Sequence, residues 1–232
     1  MTIIRRMDSA FSGGNSDTLP VFTPGPGLSG AVHRWVAAEQ SGTDLTAVSA
    51  NKGGLDLTTT SLDTRPKLTT VFGVKAVTHD GVDDILYPVG ALASNIQTMV
   101  LIARVTGPNT VEQGVLNSGG NYLTATVGTP PVLKGFSAGG TTVFSAKDPS
   151  QPLFHVIALI GNAATRAFYI DGEYKALNGT GQNTNLNIGR GSTSGYGKLD
   201  WLECTTFASA LSLADLDKLR AAAKINYRTL IA

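Results

Sequence analysis

Short stretches in which apolar and polar side chains alternate recur along residues 67–207, and Gly, Pro, Asn and Asp separate them. A period of two residues is typical of strands with one buried face. The predicted strands span residues 67–77, 85–87, 98–105, 114–117, 122–127, 133–137, 142–145, 153–160, 166–170, 174–177, 186–188 and 198–207. Since the pattern lacks crossover helices between these strands, it excludes a parallel βαβ architecture and predicts an all-β antiparallel sandwich or barrel.

Two short sequence motifs predict particular local structures, a hairpin turn and a helix. Asp171-Gly172 lies between two β-forming runs, and this dipeptide supplies the positive φ angles of a type I′ hairpin turn. Residues 212–226 form the one helical pattern. Ser212 is its predicted N-cap, with Asp215 in the first turn and Leu211 placed to pack on Leu216. Its apolar stripe predicts an amphipathic helix on the outside of the sandwich.

Residues 1–30 differ from the rest of the chain. Gly, Ser and Pro dominate from Ser12 to Gly30, with isolated apolar residues such as Phe11, Val21 and Phe22. This composition favours extended or irregular backbone. We expect a docking arm of residues 1–30 that binds a neighbouring subunit, followed by one domain over residues 31–232.

Composition and charge argue against several classes of function. The 232 residues include 18 basic and 17 acidic side chains, a net charge of +1, which lacks the basic excess of nucleic-acid-binding domains. No apolar run is long enough for membrane insertion, and no signal peptide is visible, so we expect synthesis and folding in a cytosol. The single cysteine, Cys204, excludes an intrachain disulfide and is expected to be a small core residue.

Three segments share their order and spacing with a known family. They are VTHDGVDDIL (residues 77–86), LFHVIALIGNAATRAFYIDGEYKAL (153–177) and LNIGRGSTSGYGKLDWLECTTFASALSLADLDKLR (186–220). Together they resemble concanavalin A-like, laminin-G-like jelly-roll domains of the kind found in bacteriophage tail and minor tail proteins. The resemblance implies a two-sheet antiparallel jelly-roll sandwich. Phe154 stands where the family usually has tryptophan, and Trp201-Leu202 replaces a common Glu-Leu pair.

Catalysis has little support in the sequence. Glycoside hydrolases of this fold carry Glu-x-Asp-x-x-Glu on one strand, but here Lys198 occupies the first position, before Asp200 and Glu203. We expect these two carboxylates at a solvated strand edge and predict that the protein is not an enzyme. His33, His79 and His155 lack zinc-site spacing, and His155 is expected to be a structural core residue.

Two loops are candidate ligand sites. Asp80, Asp83 and Asp84 form an acidic cluster that could bind calcium, as laminin-G-like domains often do, or could shape a turn. We expect no other cofactor. The glycine-rich segment 189–197 lacks the ending of a phosphate-binding loop, so Arg190 and Tyr196 there are candidate contacts for a sugar or a protein partner.

These observations lead to one main hypothesis and two alternatives. We expect a structural protein of a virion, a bacteriophage tail or tail-tip component, assembled in the host cytoplasm as a homo-oligomer, a trimer by our guess. The arm would bind other virion proteins, and the jelly roll would contribute to host attachment through a surface glycan. The alternatives are a carbohydrate-binding lectin-like module and a capsid decoration protein. The lectin hypothesis predicts aromatic platforms on an exposed face, although the chain has only two tryptophans.

Overall fold

The computed structural model describes residues 30–93, 95–106, 111–127, 132–137, 140–144, 153–162, 165–177, 183–191 and 195–232. The strands in these ranges are β1 (Ala31–Val36), β2 (Ala47–Val48), β3 (Leu57–Thr58), β4 (Lys67–Val71), β5 (Val74–Asp80), β6 (Tyr87–Pro88), β7 (Thr98–Val105), β8 (Gln113–Asn117), β9 (Asn121–Ala125), β10 (Leu133–Ser137), β11 (Gly140–Phe144), β12 (His155–Gly161), β13 (Arg166–Ile170), β14 (Glu173–Leu177), β15 (Asn187–Ile188) and β16 (Lys198–Phe207). The helix α1 spans Leu213–Tyr227, and short 3-10 helices span Ala37–Glu39 and Arg228–Leu230.

Two antiparallel sheets and one helix form three layers. The larger sheet has eight strands in the order β14-β13-β12-β7-β16-β5-β4, with β1 paired to the second half of β16. The smaller sheet has five strands in the order β11-β10-β9-β8-β15, and β2, β3 and β6 form a third, minor sheet. This is the predicted all-β sandwich, and the helix lies on the outer face of the larger sheet.

Alternation along the central strands divides the apolar side chains between two cores. On β7, Met99 and Leu101 point into the core between the two sheets, whereas Val100 and Ile102 point into the core beneath the helix. The predicted helix stripe of Leu216, Leu219, Ala223 and Tyr227 is buried in this second core. The larger sheet is therefore buried on both faces, which explains why its central strands contain almost continuous apolar runs.

A β-bulge in β16 changes which face its side chains reach. Trp201 pairs with Ala103, but Glu203 pairs with the adjacent Ile102, so Leu202 is an extra residue on β16. Trp201 lies in the core between the sheets, and Leu202 and Glu203 both lie on the helix side. The bulge thus places a carboxylate beneath the helix.

The specific local predictions are confirmed. Asp171 and Gly172 have φ angles of 48° and 95° at the turn between β13 and β14. The helix begins directly after Ser212, whose hydroxyl accepts a hydrogen bond from the Asp215 amide at 3.2 Å.

Other strand predictions are wrong in detail. Residues 67–77 form two strands, β4 and β5, because Phe72 and Gly73 turn the chain with φ angles of 52° and 81°. Phenylalanine does not indicate a turn, so the strand predicted from the sequence continued across Phe72. Strands β1, β2 and β3 were not predicted at all. Residues 1–29 of the predicted docking arm lie outside the described residues.

Across the described ranges, no helix has both the length and the apolar character that crossing a bilayer requires.

Candidate functional site

The outer face of the five-stranded sheet carries a row of aromatic and polar side chains. The strand register aligns Thr141, Phe136, Tyr122, Asn117 and Asn187 on five adjacent strands, from β11 to β15. Their sequence neighbours on β8, β9 and β15 lie in the core between the sheets, so these residues point outward. We call this set the aromatic row.

The centre of the aromatic row is a stacked pair of rings. The centroids of Tyr122 and Phe136 are 4.9 Å apart, with an angle of 9° between the ring planes, and both side chains are half-buried. The two tryptophans, Trp35 and Trp201, are fully buried and are not available as platforms. The aromatic surface in the aromatic row therefore consists of one tyrosine and one phenylalanine, both half-buried.

A second row runs beside the first, two residues further along β9, β10 and β11 and, because of a bulge, three residues along β8. It contains Val143 on β11, Lys134 on β10, Thr124 on β9 and Gly114 on β8. Thr124 is only 2% exposed, and its hydroxyl has no hydrogen-bond partner. Lys134 is half-exposed and makes no ion pair within the described residues. We call this set the cationic row.

Residues 189–191 and 195–197, which belong to the glycine-rich loop, cover the end of the cationic row. A Cβ atom on Gly114 would lie 1.8 Å from the Gly191 nitrogen and 2.7 Å from Arg190 Cα, so only glycine permits this contact. The Gly114 amide donates a hydrogen bond to the Gly195 carbonyl at 3.2 Å. The loop therefore packs on the outer face of the sheet, next to Thr124.

The two loop residues singled out from the sequence lie opposite each other. Arg190 and Tyr196 form an isolated bridge across the loop, and the Arg190 guanidinium lies 5.7 Å from the centre of the Tyr196 ring. Arg190 is exposed and Tyr196 is half-buried. Whether they contact a ligand stays a prediction, but the structure places them beside the two rows.

A buried histidine supports the base of this loop. A Cβ atom on Gly189 would lie 2.4 Å from His79 Nδ1, so the loop backbone packs against the ring. Trp201 Nε1 donates to His79 Nε2 at 3.2 Å, which assigns the proton to Nδ1, 3.3 Å from the Asp84 carbonyl. Burial lowers the pKa of His79 to about 4, so the ring is neutral at pH 7.

The structure also brings Asp80, Asp83 and Asp84 together, with carboxylate oxygens within 4.8 Å of one another. The Asp84 carboxylate accepts a hydrogen bond from the Asp80 amide at 2.6 Å, and the Asp80 carboxylate accepts one from the Val82 amide at 2.7 Å. Burial raises the pKa of Asp84 to about 6. These contacts account for two of the three carboxylates as turn-shaping groups, and calcium binding stays a prediction.

The expectation of a solvated edge for Asp200 and Glu203 is wrong. Strand β16 is central, with β7 on one side and β5 and β1 on the other, so both carboxylates are buried, at 3% and 2% exposed. Asp200 pairs with Arg104 at 2.8 Å, and Glu203 accepts two hydrogen bonds from Arg34, at 2.8 and 3.1 Å. Each carboxylate has an arginine counter-ion. Lys198 is exposed at the start of the strand.

Glu203 is the centre of a polar cluster beneath the helix. Besides Arg34, the Thr205 and Tyr227 hydroxyls donate to its carboxylate at 3.0 and 3.3 Å. Burial raises the pKa of Glu203, and the hydrogen bonds from Arg34 act in the opposite direction. A cavity of about 10 Å³, close to the size of one water, adjoins this cluster beside Leu219. The cluster joins β1, β16 and α1.

The remaining reactive side chains have structural positions. His155 is buried, as predicted, with Nδ1 2.5 Å from the Asp171 carboxylate, which also accepts from the Val156 amide at 2.8 Å. Cys204 is buried, as predicted, and burial raises its thiol pKa. His33, His79 and His155 do not converge on one site. Across the described residues, the acidic turn is the only group of three metal-ligating side chains.

No family model matches the sequence, and no curated protein matches it. Among solved structures, the chain is similar to Trypanosoma rangeli sialidase in complex with sialic acid, with a TM-score of 0.61 and 11% identity, over 82% of this chain and 32% of the sialidase. It is also similar to the ligand binding domain of botulinum neurotoxin serotype D in complex with N-acetylneuraminic acid, with a TM-score of 0.56 and 9% identity, over 82% of this chain and 50% of that one.

The binding domain of Paraclostridial Mosquitocidal Protein 1 gives a TM-score of 0.57 and 15% identity, over 83% of this chain and 52% of that one. The chain thus spans about a third of the sialidase and about half of each toxin chain. At these identities the likeness establishes the fold alone. The fold is a jelly-roll-like β-sandwich, as the resemblance implied.

Four residues on the outward side of the five-stranded sheet were not predicted as a site: Tyr122, Phe136, Lys134 and Thr124. Each lies in a correctly predicted strand, at a position that alternates with core residues. That alternation could have identified the outward side of each strand. The sequence alone did not show which strands are adjacent, and adjacency is what joins these side chains into a site.

Proposed function

We propose that the protein is a non-catalytic, lectin-like module that binds glycans on the outer face of its five-stranded sheet. The observation that carries the proposal is the stacked, half-buried pair of Tyr122 and Phe136 in the centre of that open face. The C–H face of a sugar ring can pack on such rings, because aromatic surfaces combined with a few placed polar groups suit ligands with an apolar face.

The polar groups beside the pair support a sugar ligand. Asn117 and Asn187 continue the aromatic row on one side, and Thr141 continues it on the other. Amides and hydroxyls both donate and accept hydrogen bonds, as sugar hydroxyls do. Asn117 is only 6% exposed, and its Oδ1 accepts from the Gly119 amide at 2.7 Å, so the half-buried Asn187 and the exposed Thr141 are the accessible polar groups beside the aromatic centre.

The distribution of carboxylates supports binding without catalysis. The strands β8, β9, β10, β11 and β15 contain no Asp or Glu, whereas glycoside hydrolysis commonly uses two carboxyl groups on either side of the bond. Asp200 and Glu203 lie on the opposite side of the larger sheet, each bound to an arginine. Three solved structures of similar fold are a sialidase in complex with sialic acid and two toxin binding domains, which is compatible with a sugar-binding role.

The test is a screen of the full chain on an immobilised panel of oligosaccharides, followed by calorimetry with each ligand found. Tyr122→Ser is expected to lower the affinity about tenfold or more, since a stacking aromatic is the main contact. Phe72→Ser is the matched control, because Phe72 is 54% exposed but lies on the β4–β5 turn of the other sheet. Equal loss in both variants, or no glycan bound by the natural chain, would contradict the proposal.

A virion setting remains a separate prediction. From the sequence we expect a tail or tail-tip protein with a docking arm, assembled as a homo-oligomer, that contributes to host attachment through a glycan. A glycan-binding face would serve such a role and would equally serve a free lectin. Light scattering of the full chain beside a variant that lacks residues 1–29 tests the arm: an oligomer that becomes a monomer on truncation supports assembly through it. A monomer in both cases opposes a homo-oligomer.

A further inference from the structure

The cationic row combines positive charge with an unused hydroxyl. Lys134 is the only charged residue on the strands β8, β9, β10, β11 and β15. It lies on the same face as Phe136, two residues along β10, and next to Thr124 on the neighbouring strand. On the opposite side of the sandwich, Arg34 and Arg104 each pair with a buried carboxylate. Lys134 has no such partner among the described residues.

Arg190 lies at the end of the cationic row that is opposite Lys134. Its backbone lies over Gly114, and Gly114 pairs with Thr124, which pairs with Lys134. Since adjacent strands are about 4.8 Å apart, the backbones of Lys134 and Arg190 flank Thr124 at about 10 Å from each other. The Arg190 side chain is exposed, and the face between the two cations carries no carboxylate on its strands.

The Thr124 hydroxyl is an independent indication of a ligand. The residue is 2% exposed, and its Oγ1 atom has no hydrogen-bond partner. A buried hydroxyl without a partner is costly, and native structures rarely retain one unless a ligand or water satisfies it. The Thr124 backbone lies between those of Lys134 and Arg190, so an anionic oxygen bound there would be within reach of this hydroxyl and of two cationic side chains.

We propose that Lys134, Thr124 and Arg190 form an anion subsite that takes the carboxylate of an acidic sugar, whose ring packs on Tyr122 and Phe136. This inference rests on the proposed glycan-binding function and adds the class of glycan. The subsite lies beside the aromatic row, about 7 Å away along the strands, a distance that the long Lys134 side chain can span.

The experiment compares matched acidic and neutral probes by calorimetry with the full chain. The pairs are trigalacturonate against its methyl ester, and sialyllactose against its methyl ester. At least one acidic probe is expected to bind about tenfold or more tightly than its neutral partner at low salt, and the preference is expected to shrink as added salt screens the charges. Lys134→Gln is expected to abolish the preference while leaving the neutral probe unaffected.

Two further variants separate the subsite from a general charge effect. Lys218→Gln removes an equal charge on the helix, on the other side of the molecule, and is expected to leave the preference intact. Thr124→Val keeps the shape but removes the hydroxyl, so it is expected to weaken acidic probes several-fold while the unfolding midpoint stays the same or rises. A lowered midpoint would instead assign the hydroxyl a structural role and overturn its part in the subsite.

The outcomes distinguish the two proposals. If the acid and ester forms bind equally and Tyr122→Ser weakens both, the anion subsite is wrong and the glycan-binding function stands. If no probe binds and the wider oligosaccharide panel is also negative, both proposals fail. If the preference for the acidic probe persists in Lys134→Gln and Arg190→Gln, other residues recognise the carboxylate and this subsite is overturned.

Discussion

The outer faces of the two sheets differ in what covers them. The helix covers the eight-stranded sheet, and charged side chains there are paired, as in Arg34 with Glu203 and Arg104 with Asp200. The five-stranded sheet has no helix over its described strands, and its face keeps an unpaired lysine, a hydroxyl without a partner and half-buried rings. We expect the first face to contribute to stability and, under the proposed function, the second face to bind a ligand.

The polar groups on the two faces differ in whether they have a partner within the described part of the protein. Buried carboxylates at β16 resemble catalytic groups in the sequence, yet their counter-ions assign them to the fold. Polar groups without a partner among the described residues, such as the Lys134 ammonium and the Thr124 hydroxyl, are the better candidates for binding. Substitutions on the covered face should therefore change stability, and substitutions on the open face should change binding.

The largest effect is expected for Arg34→Met. It leaves Glu203 buried without its cation, and breaking a buried pair in this way typically lowers the free energy of unfolding by about 3–5 kcal/mol. Urea denaturation at pH 7 measures the loss. The double variant Arg34→Met/Glu203→Gln is the control and should recover much of it. A loss below about 1 kcal/mol in the single variant would show that the covered face does not depend on this pair.

The second-largest expected effect is on the pH dependence of stability, and it involves His79 and Asp84. The pKa of His79 is lowered from 6.5 to about 4, so the unfolded chain binds more protons between these values and stability falls as the pH drops. The pKa of Asp84 is raised from 3.8 to about 6, so the native chain binds the extra proton and stability rises as the pH drops. The two contributions oppose each other across nearly the same window.

Removing one group should reveal the other. In Asp84→Asn, the free energy of unfolding is expected to fall more steeply than in the natural chain between pH 6.5 and 4, by on the order of 3 kcal/mol if His79 alone remains. His79→Gln should change the slope in the opposite direction. Thermal unfolding at half-unit pH steps, with the natural chain as reference, measures both slopes. Parallel curves for all three proteins would contradict the opposing contributions.

The fold was largely predictable because its signals are local. The Asp171-Gly172 turn, the Ser212 cap and the alternation on β7 and β12 each depend on neighbours in sequence. The β4–β5 turn was missed because Phe72 adopts a positive φ that phenylalanine seldom has. The bulge at Leu202 was also missed, since an extra residue in an apolar strand leaves no pattern.

The candidate site was harder to predict, because it depends on which strands are adjacent. Tyr122 and Phe136 are stacked only because β9 pairs with β10 in one register. Arg190 and Tyr196 could be named from the sequence, as candidate contact residues in a glycine-rich loop. Their position over Gly114 required the structure. Likewise, Asp200 and Glu203 looked solvated until β16 proved to be the central strand.

On the open face, Tyr122→Ser is expected to have a modest effect on stability. A stacked aromatic pair contributes about 0.5–1.5 kcal/mol beyond its buried area, and this pair is half-buried. We expect a loss of about 1 kcal/mol in urea denaturation, together with the tenfold loss of glycan affinity described above. Phe136→Ser should behave alike. A loss as large as that of Arg34→Met would mean that the open face also supports the fold, and the contrast between the faces would be broken.

The smallest effect is expected for Lys134→Gln, which sharpens the comparison most. Lys134 has no ion-pair partner among the described residues, so its removal leaves no group unpaired, and the free energy of unfolding should change by no more than about 0.5 kcal/mol. Arg104→Gln is the matched variant on the covered face. It leaves Asp200 buried without its cation, and its cost should be clearly larger. Equal losses of unfolding free energy in the two variants would contradict the distinction between a cation that stabilises the fold and one that is available to a ligand.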